Sequence, residues 1–380
     1  MSVFHQIGHD SINLVNDERL SQFKGMVCSP VNYNEEKITS HIKALPKSFI
    51  SILDPQLYFP YSERGQLQTW DYFPKDFETA DQSSYSWWEK ICNLLNDTCS
   101  RIECSHVCSP VFVPSKFSSD YYKFGVDIGN YLYSIARPNN IGFYQTAIVD
   151  YNSIKEAGEA ETIASVLSQT EGDSIYLIVK SDLEPRRELP DADSISGVMR
   201  LIQLLTDAAI DVFVAFCSSE FILWKYAGAK SFATGKFFNL RRFTASRFDD
   251  PSGGGGQLPY WFEKTLVAYL REGDLVRLEK ENLLHPDYRN NPFSVEILDQ
   301  IKTAPGTAWL GLSWKNYLYS FAELASELNT QKSISDLLIA AEKNWLSLED
   351  ENILMEEPRN DGKWMRPWRI AINNFNKASN

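Results

Sequence analysis

Ser174–Val179, SIYLIV, and Asp211–Phe216, DVFVAF, are the two stretches whose reading decides the fold. Both are apolar throughout rather than alternating, the pattern of strands buried on both faces and therefore of a parallel sheet covered by helices. Between them, Ile195, Val198, Met199, Ile202 and Leu205 recur at the spacing of a single helix face, with Asp193 or Ser194 placed to cap its start. A buried strand, an amphipathic helix and a second buried strand make one βαβ unit, and such units cross over with right-handed connections.

The same alternation extends in both directions. Upstream lie Met26–Val31, Ser48–Leu53, Val107–Val113 and Ile141–Val149; downstream lie Lys230–Thr234 and Ala308–Leu312. Eight strand-like runs predict an α/β fold, a (β/α)8 TIM-like barrel, because a doubly wound sheet does not need all of them. Residues 244–306 then read as an insertion between strands 7 and 8, opening with DDPSGGGGQLPYW, whose glycine run suits a hinge or lid, and continuing in a helix around Trp261–Leu270. Residues 1–330 form the expected barrel domain. Residues 331–380 form a helical C-terminal extension packed on it, with Ile334, Leu337, Leu338, Ala341, Trp345 and Leu348 along one face.

Composition narrows the possible functions. The 380 residues are 43% hydrophobic and 23% charged, which is enough apolar surface for a large core and excludes a disordered chain. No apolar run approaches the roughly 18 residues that span a bilayer, and no leader pattern opens the sequence, so a cytoplasmic protein without membrane contact is expected. A net charge of −13 argues against a chain that coats nucleic acid. Cys92, Cys99, Cys104 and Cys108 cluster but include no Cys-x-x-Cys pair, so reduced core cysteines are expected, with no metal and no cofactor.

One stretch departs from the acidic background. Phe221–Phe248 holds six basic residues and no acidic one, which leaves −19 on the rest of the chain. Thr234-Gly235-Lys236 follows a strand, where Gly235 permits close approach of the backbone and Lys236 supplies a point charge: a phosphate turn or an ordinary helix start. Arg241 and Arg242, set among Phe237, Phe238, Phe243 and Phe248, read either as an anion clamp with stacking rings or as a packed helix with snorkelling arginines. At other strand ends stand Asp54, Asp150 and Lys180, candidates for acid, base, nucleophile or Schiff-base lysine. Lys180 also reads as an ion-pair partner of Asp150 or Asp182. No histidine falls where it could serve Cys217-Ser218-Ser219-Glu220.

These residues lead to an expected enzyme: a transferase or hydrolase on a phosphate-bearing nucleotide or nucleic acid, with glycosyl transfer or base exchange as the reaction. Thr234, Gly235, Lys236, Arg241 and Arg242 would hold the anion, and Asp54, Asp150 and Lys180 would do the chemistry. Two other readings stand beside it. One is a non-catalytic barrel in a multiprotein assembly, with segment 237–248 or the C-terminal helix as the partner surface. The other is a Schiff-base lyase using Lys180.

Overall fold

The structure, a computed structural model, describes residues 2–249, 257–306, 308–357 and 360–378. Eight parallel strands close into a barrel in chain order: β1 (Ser2–Gln6), β2 (Gly25–Cys28), β3 (Ile50–Leu53), β4 (His106–Cys108), β5 (Gly142–Asp150), β6 (Ser174–Lys180), β7 (Asp211–Ala215) and β8 (Ser231–Thr234). Closure is made by β1 lying on β8, with Ser2 opposite Ser231 and His5 opposite Thr234.

The continuous apolar strands divide by alternation. Ile175, Leu177, Val212 and Val214 face the helices and pack with Val198 and Ile202. Tyr176, Ile178, Phe213 and Ala215 face the barrel interior, where the Phe213 ring lies 5.3 Å from Tyr176 and 4.8 Å from Phe4. Each face has its own core, so no polar position is left to mark the period.

The barrel is the expected one, but its strands are counted differently. Ala308–Leu312 is not a strand, since Leu310 begins the helix Leu310–Glu327, which buries Ser313, Tyr317, Phe321 and Leu324 at helical spacing. A short apolar run has no period of its own, and its length alone misleads. The strand that closes the barrel is β1, where His5 and Gln6 interrupt the apolar run although both are buried. Residues 244–306 therefore follow the last strand instead of separating strands 7 and 8. Within them, the expected helix around Trp261–Leu270 is an antiparallel hairpin, β9 (Trp261–Glu263) and β10 (Ala268–Leu270). The glycine run 253–256 lies outside the described residues.

Helices Gln331–Asp350 and Met365–Ala378 make the C-terminal extension, and the second packs along Ala192–Asp207. Met365, Trp368, Ala371, Ile372 and Phe375 are its buried stripe. Among the described residues, no helix is long and apolar enough to cross a membrane.

Candidate functional site

In a parallel barrel the loops after the strands form one mouth, and ligands bind there. Here the chain itself fills the axis of that mouth. After β8, two short 3-10 turns, Phe238–Leu240 and Ala245–Phe248, carry the segment across the opening. The Ser181 amide donates to the Phe243 carbonyl at 3.2 Å, which ties the crossing to the end of β6. Phe243 is fully buried, its ring 4.9 Å from Tyr58, 5.4 Å from Phe216 and 6.0 Å from Phe248. These rings plug the barrel.

The plug corrects the phosphate reading. Gly235 is indeed a site of close approach, but a Cβ there would lie 2.6 Å from the Gln6 carbonyl and 2.5 Å from Leu240, so protein already occupies the space. Arg241 donates from Nε to the Gly235 carbonyl at 2.8 Å and from Nη2 to the Lys236 carbonyl at 2.9 Å, with its guanidinium 3.4 Å over the Tyr317 ring. Lys236 is buried, its Nζ 4.1 Å over Trp314 and 4.6 Å over Phe237, and that burial lowers its pKa. Thr234 bonds to the Cys217 carbonyl and the Tyr317 hydroxyl, both at 2.7 Å. Arg242 donates to the Arg187 carbonyl and pairs with Glu220 at 3.4 Å. These groups hold the plug in place, and an anion would have to displace carbonyls and rings to reach them. Within the 237–248 segment, residues 240–244 are buried while Asn239 and Ser246 are exposed.

Asp150 and Lys180 are brought together, opposite each other in the β5–β6 register. Lys180 Nζ lies 3.5 Å from Asp150 and 3.2 Å from Asp182. Asp150 also accepts from the Asn152 and Ser153 amides at 3.2 and 3.0 Å, which makes it the turn residue after β5. These contacts are the ion-pair reading of Lys180, with its ammonium donating to both carboxylates.

Asp54 is elsewhere, beneath the plug. Its Oδ1 accepts from the Tyr58 hydroxyl at 2.8 Å and the Gln56 amide at 3.0 Å, and the Tyr176 hydroxyl approaches Oδ2 at 3.5 Å. Burial pushes its pKa up to about 6 against the pull of the Tyr58 bond. The aromatic plug separates it from the open side of the mouth.

The open part of the mouth lies to one side, over β6, β7 and β8. A cavity of about 700 Å³ runs between the loop after β6, the β9–β10 hairpin and the C-terminal extension. Phe238, Tyr260, Tyr269 and Trp364 give it ring surfaces, and Glu188 lines it. Glu188 Oε2 is shielded from solvent, and the Ser219 hydroxyl is the hydrogen-bonding neighbour of this carboxyl. Burial, then the charge of Glu220, pushes the Glu188 pKa up to about 8, with Arg242 opposing. Glu220 and Arg242 are themselves buried and form the ion pair behind it. Burial raises the Glu220 pKa, and the Arg242 guanidinium works against that rise.

The three groups come from consecutive loops: Glu188 after β6, Glu220 after β7 and Arg242 after β8. Trp368 Nε1 donates to the Leu189 carbonyl at 2.8 Å, so the last helix holds the loop that bears Glu188. A carboxyl whose pKa is raised by burial, next to one paired with arginine, has the make-up of a proton donor with an electrostatic partner. In the sequence Glu220 stands out only as a neighbour of possible nucleophiles, and nothing singles out Glu188, which lies in the turn between β6 and the helix Ala192–Asp207. The length of that turn was the one available signal, since long loops after barrel strands carry function.

No family model matches the chain, and no curated protein matches it. Among solved structures, dihydrodipicolinate synthase from Oceanobacillus iheyensis aligns over 99% of this chain and 96% of its own, with 9% identity and a TM-score of 0.32. A likeness at that level carries nothing about the reaction, and the phosphate reading finds no support there.

Proposed function

We propose that this protein is an acid–base enzyme whose substrate occupies the cavity beside the β9–β10 hairpin, with Glu188 as its proton donor. The observation that carries the reading is the Glu188 carboxyl, whose Oε2 is shielded from solvent and whose pKa is pushed up to about 8 by burial, in the wall of a cavity of about 700 Å³. At neutral pH that group is mostly protonated, so it gives a proton to a substrate oxygen or nitrogen and takes one back as carboxylate. Arg242, paired with Glu220, would steady the negative charge that appears on Glu188 when the proton leaves. The rings of Phe238, Tyr260, Tyr269 and Trp364, with charges of both signs at the rim, suit a small uncharged molecule bearing a ring.

The test is a thermal-shift screen of uncharged ring-bearing metabolites, followed by mass spectrometry for turnover of each hit. Glu188→Gln is expected to keep binding and to lower turnover by roughly 10²–10⁴-fold. Wild-type kcat/KM should fall as pH rises through about 8, where the donor loses its proton. Turnover by Glu188→Gln at the wild-type rate would show that the proton comes from elsewhere.

A further inference from the structure

On the far side of the plug a second cavity, of about 330 Å³, opens among the loops after β1, β2, β3 and β8. None of its lining residues is acidic, and two are arginines, Arg64 and Arg247. Arg247 is only 8% exposed, yet its bonds are two long ones, to the Asn239 carbonyl at 3.4 Å and to Ser29 Oγ at 3.3 Å. A guanidinium has five N–H donors, so most of those on Arg247 are uncommitted. Its pKa is pulled down to about 10 by burial, against the charge of Asp54, and Arg64 adds a smaller repulsion. Asp54 itself is screened by its bonds to Tyr58 and Gln56 and does not line the cavity.

The wall is rigid where it matters. Gly65 has a φ of +61°, and a Cβ there would sit 1.9 Å from the Val31 carbonyl, so only glycine lets this loop close on its neighbour and set Arg64 at the rim. The Gln66 amide donates to the same Val31 carbonyl at 3.0 Å. Two cations held against one cavity without an acid repel each other, and a bound anion relieves that repulsion.

We propose that this cavity is a second ligand site, for a small carboxylate gripped between Arg64 and Arg247. Guanidinium forks match the planar carboxylate, each offering two parallel N–H groups. A phosphate dianion is better served by backbone amides at a helix N-terminus, and no α-helix begins among the lining residues. The volume lies at the low end for ligand pockets and suits a molecule no larger than a dicarboxylate of a few carbons. The site is independent of Glu188, and none of Thr234, Gly235, Lys236, Arg241 and Arg242 lines it.

The experiment is isothermal titration of the full chain with acetate, succinate and citrate, and with inorganic phosphate as the contrasting anion. At least one carboxylate is expected to bind saturably with Kd below about 1 mM. Arg64→Ala, at a half-buried loop position, should weaken it by roughly ten- to a hundred-fold without changing the melting temperature. Arg64→Lys should recover only part of the affinity, because a point charge cannot replace the fork. The proposal is overturned if no carboxylate binds, if Arg64→Ala leaves Kd unchanged, or if phosphate binds as tightly as the best carboxylate.

Discussion

His5 has a large pH consequence on the acid side, outside the two cavities. Its ring stacks on Phe23 at 3.8 Å, it is 3% exposed, and Nε2 has no partner. Burial pulls its pKa from 6.5 down to about 3. The unfolded chain binds a proton at this residue below pH 6.5, while the folded chain refuses it down to about 3. Stability is therefore full above pH 6.5 and is lost as pH falls toward 3, by about 5 kcal/mol from this residue. His5→Phe keeps the stacked ring and removes that loss. Its acid unfolding midpoint, followed by tryptophan fluorescence, should move to lower pH, and an unchanged midpoint would mean that other groups control acid stability. In the sequence His5 looks like a polar residue near a chain end. Its burial follows from β1 being the strand that closes the barrel.

At the scale of elements, the C-terminal helix Met365–Ala378 links stability to the site. Its stripe of Met365, Trp368, Ala371, Ile372 and Phe375 was legible as an aromatic, basic tail that packs back on the body. What it packs on was not. Trp368 is fully buried and bonds to the carbonyl of Leu189, next to Glu188. Trp368→Ala should cost about 3–5 kcal/mol in chemical denaturation, while Trp368→Phe, which keeps most of the packing, should cost about 1 kcal/mol. The Ala variant also frees the loop after β6 and lets water reach the carboxyl, so the alkaline limb of the activity profile should shift below pH 8. A profile that stays in place would show that the helix stabilises the fold without positioning Glu188. The hairpin β9–β10 carries a similar lesson: its aromatic residues were visible as an apolar segment, but the reading as a helix failed because three-residue strands are too short to display a period.

Over the whole molecule, a closed barrel with helices outside leaves buried groups no exit short of unfolding. All six cysteines are free and buried, and burial raises the thiol pKa of Cys28, Cys92, Cys104, Cys108 and Cys217. The native protein should therefore resist a thiol reagent such as DTNB at pH 8, and all six thiols should react in guanidinium. Rapid labelling of even two under native conditions would contradict this packing. The architecture itself was determined by the sequence alone, because SIYLIV and DVFVAF cannot be satisfied except by burial on both faces, and the helical stripes between such strands dictate what covers them. The local excess of positive charge at residues 221–248 was equally plain in the sequence, but its meaning was not. Whether Arg241 and Arg242 face a ligand or a carbonyl depends on which loop lies above them, and that contact joins residues far apart in the chain. The same holds for Glu188, Glu220 and Arg242, which come together only when three consecutive strands are laid side by side. Burial and proximity across the barrel mouth create both the raised carboxyl of Glu188 and the pair of arginines against the second cavity. Neither property belongs to a residue type or a spacing, so only the tertiary structure could decide them.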